Sequence, residues 1–381
     1  MTMHYVRTLR LAGYKSIEQI DLELRPFNIL IGANGAGKSN LLSWFRFLNS
    51  ITTERLQLHV ADAGEADAVL HHGVRRTQHL ACEVRFSNDG GANAYALGLQ
   101  NTATGKLMFE YERLLYSKKG VAAPLDVAIG TGHLESNLVR MLRAGGPAGE
   151  TAQFIKWNLD RFRYYHFHDT SKTSSVKQPS NLDGERFLTH DAGNLAAFLY
   201  RMSQGSPAAL EAIEETIRMV APFFDRFVLE PSVASNTIKL RWRERGAESI
   251  FGPHQLSDGT LRFMCLATLL LQPNDEAFLP PRLIVLDEPE LGLHPYAISV
   301  LGGLLRQATS WSQVLVATQS PLLLDAVIEE AAQVDDVLIA EHEQGRSTFH
   351  RYTAEQMKDW LADYSPGQLW LKGVLRGSPL T

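Results

Sequence analysis

The chain is poor in the features that mark several protein classes. Its 381 residues include only two cysteines, Cys82 and Cys265, which cannot build a disulfide framework and lack metal-ligand spacing. The longest strongly apolar stretch, residues 261–271, is interrupted by Arg262 and is too short to span a bilayer. The N-terminus lacks the apolar segment of a signal peptide. We therefore expect a folded cytoplasmic protein without a membrane partner.

The sequence also has no excess of positive charge. Lys and Arg number 37 against 42 Asp and Glu, which gives a formal net charge of −5. Any binding to nucleic acid must therefore depend on a local patch. The chain shows no internal repeat and no sustained heptads, so the segment between Ser39 and Leu256 is not expected to contain a long coiled-coil arm.

Hydrophobic patterning predicts an α/β protein with two kinds of sheet. Residues 79–86 and 107–116 flank turn-forming residues 88–91 and predict an antiparallel meander, followed by a loop-rich insertion over 117–150 with a short helix near 134–143. Strands and helices alternate near the C-terminus, which predicts a mainly parallel core sheet. The predicted strands are 6–11, 20–24, 27–31, 162–167, 237–243, 283–286, 313–317 and 337–340, and the predicted helices are 39–48, 194–202, 207–220, 295–307 and 321–332.

Residues 32–39, Gly-Ala-Asn-Gly-Ala-Gly-Lys-Ser, match the phosphate-binding loop pattern between a strand and a helix. The glycines allow backbone N–H groups to surround phosphate oxygens at a helix N-terminus, whose dipole favours anions. Lys38 would reach the β- and γ-phosphates, and the Ser39 hydroxyl would bind Mg²⁺. The alternative is a glycine-rich turn with an incidental lysine.

Two further segments carry possible phosphate chemistry. The apolar strand 283–286 ends in Asp287 and Glu288, which could hold Mg²⁺ and polarise an attacking water; a surface acidic pair is the alternative. In residues 256–260, Leu-Ser-Asp-Gly-Thr, Ser257 could cap a helix or could form an anion site together with Gly259.

Together these segments resemble the ABC-type ATPases, specifically the RecF/SMC-like branch and its stand-alone bacterial ATPases. The resemblance implies a P-loop NTPase fold, an ABC-ATPase head with a mainly parallel core sheet, an antiparallel β meander and a helical signature lobe. It rests on residues 11–17 (Leu-Ala-Gly-Tyr-Lys-Ser-Ile), 32–40, 256–262, 287–295 (Asp-Glu-Pro-Glu-Leu-Gly-Leu-His-Pro) and 318–321 (Thr-Gln-Ser-Pro).

The resemblance also implies cofactors, partners and site residues. ATP and Mg²⁺ would be sandwiched between two copies of the chain, so that the phosphate loop of one copy and the signature of the other hold each nucleotide. Residues 290–294 correspond to the loop that crosses this interface. The implied cofactor-binding residues are Asn34, Gly35, Gly37, Lys38, Ser39, Asn40, Ser257 and Gly259, the metal ligands are Ser39 and Asp287, and the catalytic residues are Glu288, Lys38 and Gln319.

Two residues depart from the family pattern. Asp258 places a carboxylate in the signature, where repulsion should weaken ATP binding unless Asp258 points away or pairs with Arg262. Gln319 occupies the position of the usual switch histidine and can hydrogen-bond phosphate but cannot carry charge. We therefore expect slow hydrolysis.

Three other groups of residues allow two interpretations each. His166 and His168 could form a metal pair but lack an evident third ligand, so a nucleotide-sensing loop is preferred. Tyr14 could stack on adenine or pack in the core. The alternating cations of the strand at 237–243 and its flank could contact DNA phosphates, although a solvated strand face is favoured; these cations are Lys239, Arg241, Arg243 and Arg245.

These expectations divide the chain into an N-terminal ATPase lobe (1–169, with 87–160 variable), a helical signature lobe (170–275), the C-terminal part of the ATPase core (276–350) and a short tail (351–381). The expected function is ATP-dependent head dimerisation in DNA repair, recombination or defence against foreign DNA, with a separate effector or nuclease as a further partner. The alternative is a nucleotide-dependent regulatory module that acts through a protein without binding DNA.

Overall fold

Two six-stranded sheets organise the chain. The computed structural model describes residues 5–88, 90–120, 124–183, 186–232 and 234–375. The first sheet is antiparallel throughout and includes the N-terminal hairpin, which sequence patterning did not assign to the meander. Its strands, in the spatial order β2-β1-β4-β5-β6-β7, are β1 (Tyr5–Tyr14), β2 (Ile17–Glu23), β4 (His79–Asn88), β5 (Gly91–Asn101), β6 (Leu107–Lys118) and β7 (Leu125–Gly130).

The second sheet is the core sheet, and it is parallel except for one antiparallel edge strand. This arrangement confirms the predicted mainly parallel core. Its strands, in the order β17-β16-β3-β15-β14-β8, are β3 (Phe27–Ile31), β8 (Phe162–Tyr165), β14 (Leu283–Asp287), β15 (Gln313–Ala317), β16 (Val337–Glu343) and β17 (Arg346–His350).

Helices cover both faces of the core sheet. The predicted helices at 39–48, 194–202, 207–220 and 295–307 are all present, with bounds shifted by a few residues. None of the helices in the described part of the chain is long and apolar enough to cross a membrane. The helices are α1 (Lys38–Thr52), α2 (Leu56–Ala63), α3 (Glu65–Val69), α4 (Leu138–Met141), α5 (Gly146–Leu159), α6 (Leu195–Gly205), α7 (Pro207–Val220), α8 (Asp258–Leu270), α9 (Pro295–Ala308), α10 (Pro321–Val327), α11 (Ala354–Leu361) and α12 (Pro366–Leu371).

Alternating residues of the buried core strands point into two separate hydrophobic clusters. In β3, Ile29 and Ile31 join the cluster that contains α6 to α10, whereas Leu30 joins the cluster between α1 and the antiparallel sheet. Every residue from Phe27 to Ile31 is buried, so the sequence of β3 is an apolar run interrupted only by Asn28, whose side-chain amide is hydrogen-bonded to backbone carbonyls. The core sheet is therefore the middle layer of the molecule and fixes the loops at its carboxyl edge.

Three local predictions were wrong in extent. The loop-rich segment predicted over 117–150 contains the short helix expected near 134–143, α4, but it also contains β7, which adds a sixth strand to the antiparallel sheet, and the start of α5. The helix predicted over 321–332 ends at Val327, whose carbonyl accepts a hydrogen bond of 2.5 Å from Arg306. The strand predicted over 237–243 is divided between two small sheets. The short strands are β9 (Ser180–Asn181), β10 (Phe224–Phe227), β11 (Thr237–Ile238), β12 (Trp242–Glu244) and β13 (Ile250–Phe251).

Residues 354–371, at the end of the described chain, form α11 and α12. Met357, Leu369 and Trp370 are buried in the same cluster as the helices of the signature lobe. Asp325 of α10 holds the start of α12, since its carboxylate accepts hydrogen bonds from the Gly367 backbone at 2.7 Å and the Ser365 hydroxyl at 3.0 Å. This segment is therefore part of the hydrophobic core.

Candidate nucleotide site

The phosphate loop connects β3 to α1 at the carboxyl edge of the core sheet. Gly35 and Gly37 have φ values of 79° and 100°, in the left-handed region that favours glycine. A Cβ on Gly37 would lie 2.0 Å from the Ser347 hydroxyl of β17, so the loop is also packed too closely there for a side chain. Glycine is thus required at this position by both conformation and space.

Lys38 lies inside this loop. Its ammonium donates hydrogen bonds to the carbonyls of Gly32 at 2.6 Å and Ala33 at 3.0 Å, and only 5% of the residue is exposed. Burial lowers the pKa of Lys38, while the negative charges of Glu288 and Asp287 oppose that shift. The cation is therefore held where the loop would surround a phosphate.

The Ser39 hydroxyl donates a hydrogen bond of 3.1 Å to the Asp287 carboxylate at the end of β14. Burial raises the pKa of Asp287, and the bond from Ser39 opposes that rise. Tyr164 of β8 lies next to the same carboxylate, and burial followed by the charge of Asp287 raises its pKa to about 12. A hydroxyl and a carboxylate are hard oxygen donors of the kind Mg²⁺ prefers, so Ser39 and Asp287 fit the expected metal.

Glu288 and Gln319 follow neighbouring parallel strands and meet at the same edge. The Gln319 amide donates a hydrogen bond to the Glu288 carboxylate. Glu288 has a φ of 45°, an unusual conformation for a residue other than glycine, and its backbone N–H donates to the Ala317 carbonyl at 2.8 Å. This turn directs the chain after β14 across the edge of the sheet. It places the Glu288 carboxylate next to Asp287, which is hydrogen-bonded to Ser39 of the phosphate loop.

Glu290 is a site residue whose burial the sequence did not reveal. It is 8% exposed, its Oε1 accepts a hydrogen bond from the Thr318 hydroxyl, and its Oε2 has no hydrogen-bond partner among the described atoms. Burial raises the pKa of Glu290. Nothing in the sequence Asp-Glu-Pro-Glu indicates that Glu290 is the most buried of its three acidic residues.

Asn34 and Gly35 are exposed at the tip of the phosphate loop, whereas Asn40 lies behind it. The Asn40 amide donates to the Ser16 hydroxyl at 2.7 Å, and Ser347 donates to the same hydroxyl at 2.8 Å. Asn40 therefore fastens the start of α1 to the N-terminal hairpin, a role that the family motif alone did not indicate.

The signature segment lies against the crossing loop of the same chain. Ser257 caps α8 by accepting a hydrogen bond of 3.1 Å from the Thr260 backbone, and its side chain is exposed. A Cβ on Gly259 would lie 2.4 Å from the Gly292 carbonyl. Arg262 donates to the carbonyls of Leu291 at 2.6 Å and His168 at 2.8 Å.

Asp258 does not pair with Arg262, so that alternative is wrong. Its exposed carboxylate lies 3.6 Å from the Lys177 ammonium instead. Arg262 instead links α8 to two neighbouring loops, because its guanidinium is hydrogen-bonded to the Leu291 and His168 carbonyls. The positive charge of Lys177 would reduce the repulsion between Asp258 and a bound polyphosphate.

The structure decides between the alternatives for Tyr14. Tyr14 is fully buried, with its ring centroid 5.1 Å from that of Trp44 and 5.6 Å from that of Phe47, so the core-packing interpretation is correct. His166 and His168 have ring centroids 4.1 Å apart, but no group of three or more metal-ligating side chains forms among the described residues. His168 lies between the two site loops, since its Nε2 is 3.3 Å from the Glu288 carbonyl.

The sequence is similar to known proteins over parts of its length. Residues 158–325 match a family model described as "AAA domain, putative AbiEii toxin, Type IV TA system". The chain is 33% identical over 92 residues to the DNA replication and repair protein RecF of Corynebacterium jeikeium, which is 22% of each chain. It is 30% identical over 226 residues to the RecF protein of Renibacterium salmoninarum, which is 55% of each. The chain thus spans about half the length of the second relative and about a fifth of the length of the first.

The fold is similar to solved SMC heads over most of the chain. A crystal structure of the Smc head bound to the C-winged helix domain of ScpA gives a TM-score of 0.58 at 15% identity, covering 92% of this chain and 99% of that one. A Pyrococcus furiosus Smc head domain with an extended coiled coil gives a TM-score of 0.56 at 13% identity, covering 95% of this chain and 99% of that one. These similarities agree with the two-sheet architecture and with the resemblance drawn from the motifs: the chain has a fold similar to that of SMC heads and is similar in sequence to RecF proteins over about half of its length.

Proposed function

We propose that the chain binds and hydrolyses ATP with Mg²⁺, and that ATP joins two copies into a head dimer that acts on DNA. The observation that carries this proposal is the hydrogen bond between Ser39 and Asp287, residues 248 positions apart in the chain. The bond brings the phosphate loop and the carboxylate strand to one edge of the sheet, with Glu288 directly after it. Phosphoryl transfer needs this combination of a phosphate cradle, metal ligands and a residue that orients water.

Two features support a dimer. Ser257 and Gly259 lie on α8 against the crossing loop, so the signature is presented outward rather than into the chain's own phosphate loop. Large apolar side chains are also exposed at the carboxyl edge of the core sheet, where a second copy would cover them. They are Leu291, Tyr296 and Leu322, which are 48%, 52% and 53% exposed.

The DNA part of the proposal is supported by the similarity to RecF proteins, which are described as DNA replication and repair proteins. A regulatory module that signals through ATP binding is the second candidate. It is favoured by Gln319 at the position of the usual switch histidine, because glutamine can hydrogen-bond a phosphate but cannot carry charge, and slow hydrolysis would suit a module that signals through ATP binding. Dependence of the ATPase rate on DNA separates the two candidates.

Sedimentation of the Glu288→Gln variant tests the dimer. Removing the carboxylate leaves the phosphate loop, Ser39 and Asp287 in place, so Mg²⁺ and ATP should convert this variant into a stable dimer. Lys38→Ala is the matched control and should remain monomeric, because the loop loses its buried cation. A Glu288→Gln protein that stays monomeric while it binds Mg-ATP would exclude the sandwich mechanism.

A further inference from the structure

Glu290 joins two segments that flank the candidate nucleotide site. It is the first residue of the crossing loop (290–294), and its carboxylate accepts a hydrogen bond from the hydroxyl of Thr318, the residue that follows β15. The two residues are 8% and 0% exposed, so this bond is shielded from solvent. A hydrogen bond in the low-dielectric interior is stronger than the same bond in water. The contact therefore ties the crossing loop to the end of β15.

The Thr318 hydroxyl has its second partner within the turn after β15. Its oxygen accepts a hydrogen bond of 2.9 Å from the backbone N–H of Ser320, and the Thr318 backbone N–H donates to the Leu30 carbonyl of β3 at 3.0 Å. Because the hydroxyl donates to Glu290 and accepts from Ser320, its orientation is fixed. Gln319 lies between Thr318 and Ser320, so its backbone is held on both sides.

Gln319 links the two carboxylates of this edge. Its side-chain amide donates to Glu288, and its backbone N–H faces Glu290. Burial raises the pKa of Glu290, and hydrogen bonds from the Thr318 hydroxyl and, less strongly, from the Gln319 backbone oppose that rise. The Glu290 Oε2 has no hydrogen-bond partner among the described atoms, which costs stability in a buried carboxylate. A role in the site explains such a residue better than packing does.

We propose that Glu290 is a positioning residue for ATP hydrolysis, an inference that rests on the proposed function. Through Thr318 it fixes the turn on which Gln319 lies. Gln319 can then hold the Glu288 carboxylate in the orientation that the reaction with water needs. In this role Glu290 supplies a hydrogen-bond acceptor rather than a charge, so a neutral amide of the same shape should replace it.

The crossing loop is also held from its other side, by the signature helix. Arg262 donates to the Leu291 carbonyl at 2.6 Å, and Gly259 packs against the Gly292 carbonyl. In the proposed dimer this loop would contact the partner copy. Contact with the partner would therefore reach Gln319 through Glu290, which makes the orientation of the site depend on assembly.

Substitutions at both ends of the hydrogen bond test the proposal. Thr318→Val removes the hydroxyl and should lower kcat for ATP about tenfold, while the ATP dissociation constant changes less than about twofold. Thr318→Ser keeps the hydroxyl and should stay within about threefold of the parent kcat. Glu290→Ala should match Thr318→Val, whereas Glu290→Gln should match Thr318→Ser. Thr131→Val, at an exposed position after β7, is the matched control and should change neither quantity.

A double variant separates positioning from a direct role. If Thr318 acts through Gln319, then Thr318→Val with Gln319→Ala should be slower than Gln319→Ala alone by less than about twofold. Losses that multiply in the double variant would overturn the proposal. An unchanged kcat in Thr318→Val would overturn it as well. So would an equal loss in Glu290→Gln and Glu290→Ala, because the charge itself would then be required.

The side-chain amide of Gln319 gives a readout that needs no hydrolysis. Its ¹⁵N NMR signal in the nucleotide-free chain, identified by its loss in Gln319→Ala, should shift towards that of free glutamine in Thr318→Val but not in Thr318→Ser. A parent chain that shows this pattern without hydrolysing ATP would remove the proposed function and support the positioning of Gln319. An active parent whose amide signal is the same in Thr318→Val would remove only this inference.

Discussion

Gln319 donates its side-chain amide to the carboxylate of Glu288, across two parallel strands that place the residues 31 positions apart in the chain at one edge of the core sheet. The hydrogen bond fixes the orientation of the carboxylate that would polarise water. Since a glutamine amide neither gains nor loses a proton at neutral pH, we expect Gln319 to act by positioning Glu288.

Replacement of Gln319 by Ala should therefore lower kcat for ATP by about ten- to a hundredfold while it changes the ATP dissociation constant by less than about twofold. Single-turnover hydrolysis and equilibrium binding measure the two effects separately. Gln307→Ala, at an exposed position of α9, is the control and should leave both unchanged. An unaltered kcat for Gln319→Ala would show that Glu288 needs no orienting partner.

The contact between Gly259 and Gly292 leads to a second prediction. Because a Cβ on Gly259 would lie 2.4 Å from the Gly292 carbonyl, Gly259→Ala should push the signature helix away from the crossing loop. We expect the free energy of unfolding to fall by about 1–3 kcal/mol and the ATP-dependent dimer to be lost. Urea denaturation and sedimentation provide the two measurements.

Gly303→Ala is the matched control, since it also adds one methyl group to a helix. A Cβ at Gly303 would meet no described atom within 4 Å, and the position is exposed in α9. This variant should be more stable than the parent by about 0.5–1 kcal/mol, because alanine favours the helix. Equal effects of the two substitutions would contradict the close contact at Gly259.

Asp287 gives the protein a predictable pH dependence. Burial raises its pKa in the folded state, so the folded chain binds this proton more tightly than the unfolded chain does. The ionised carboxylate therefore destabilises the nucleotide-free protein at neutral pH, and this cost disappears as the pH falls through the folded pKa. Asp287→Asn should accordingly raise Tm by about 1–3 °C near pH 7 and by nothing near pH 4.

Thermal unfolding without nucleotide at the two pH values checks this sign. Asp359→Asn, at an exposed position of α11, should not change Tm at either pH. A lower Tm for Asp287→Asn at neutral pH would mean that the hydrogen bond from Ser39 outweighs the cost of burial. A gain in stability with loss of Mg²⁺-dependent activity would instead identify Asp287 as a residue kept for function.

The main features of the fold could be predicted from the sequence because they depend on local patterns. The apolar run of β3, the glycines after it and the helical spacing of α1 all lie within 26 residues, from Phe27 to Thr52. The strand pattern also placed Asp287 correctly at the carboxyl end of β14, whereas Gln319 after β15 was placed by the family resemblance.

Contacts between distant segments could not be read in this way. Three such contacts depend on tertiary packing rather than on spacing along the chain. Asn40 binds Ser16, Thr318 hydrogen-bonds the buried Glu290, and Lys177 pairs with Asp258. Charged residues give little sequence signal of burial, because their usual position is the surface.

Trp370 tests the structural role of the C-terminal helices, which the sequence presents as a short tail. It is fully buried in the cluster shared with the signature lobe, so Trp370→Ala should lower the free energy of unfolding by about 3–5 kcal/mol. Trp360 of the same segment is 48% exposed, and Trp360→Ala should cost less than about 1 kcal/mol. Urea denaturation of both variants measures the difference. Equal and small losses would mean that the core is complete before residue 351 and that α12 only rests on it.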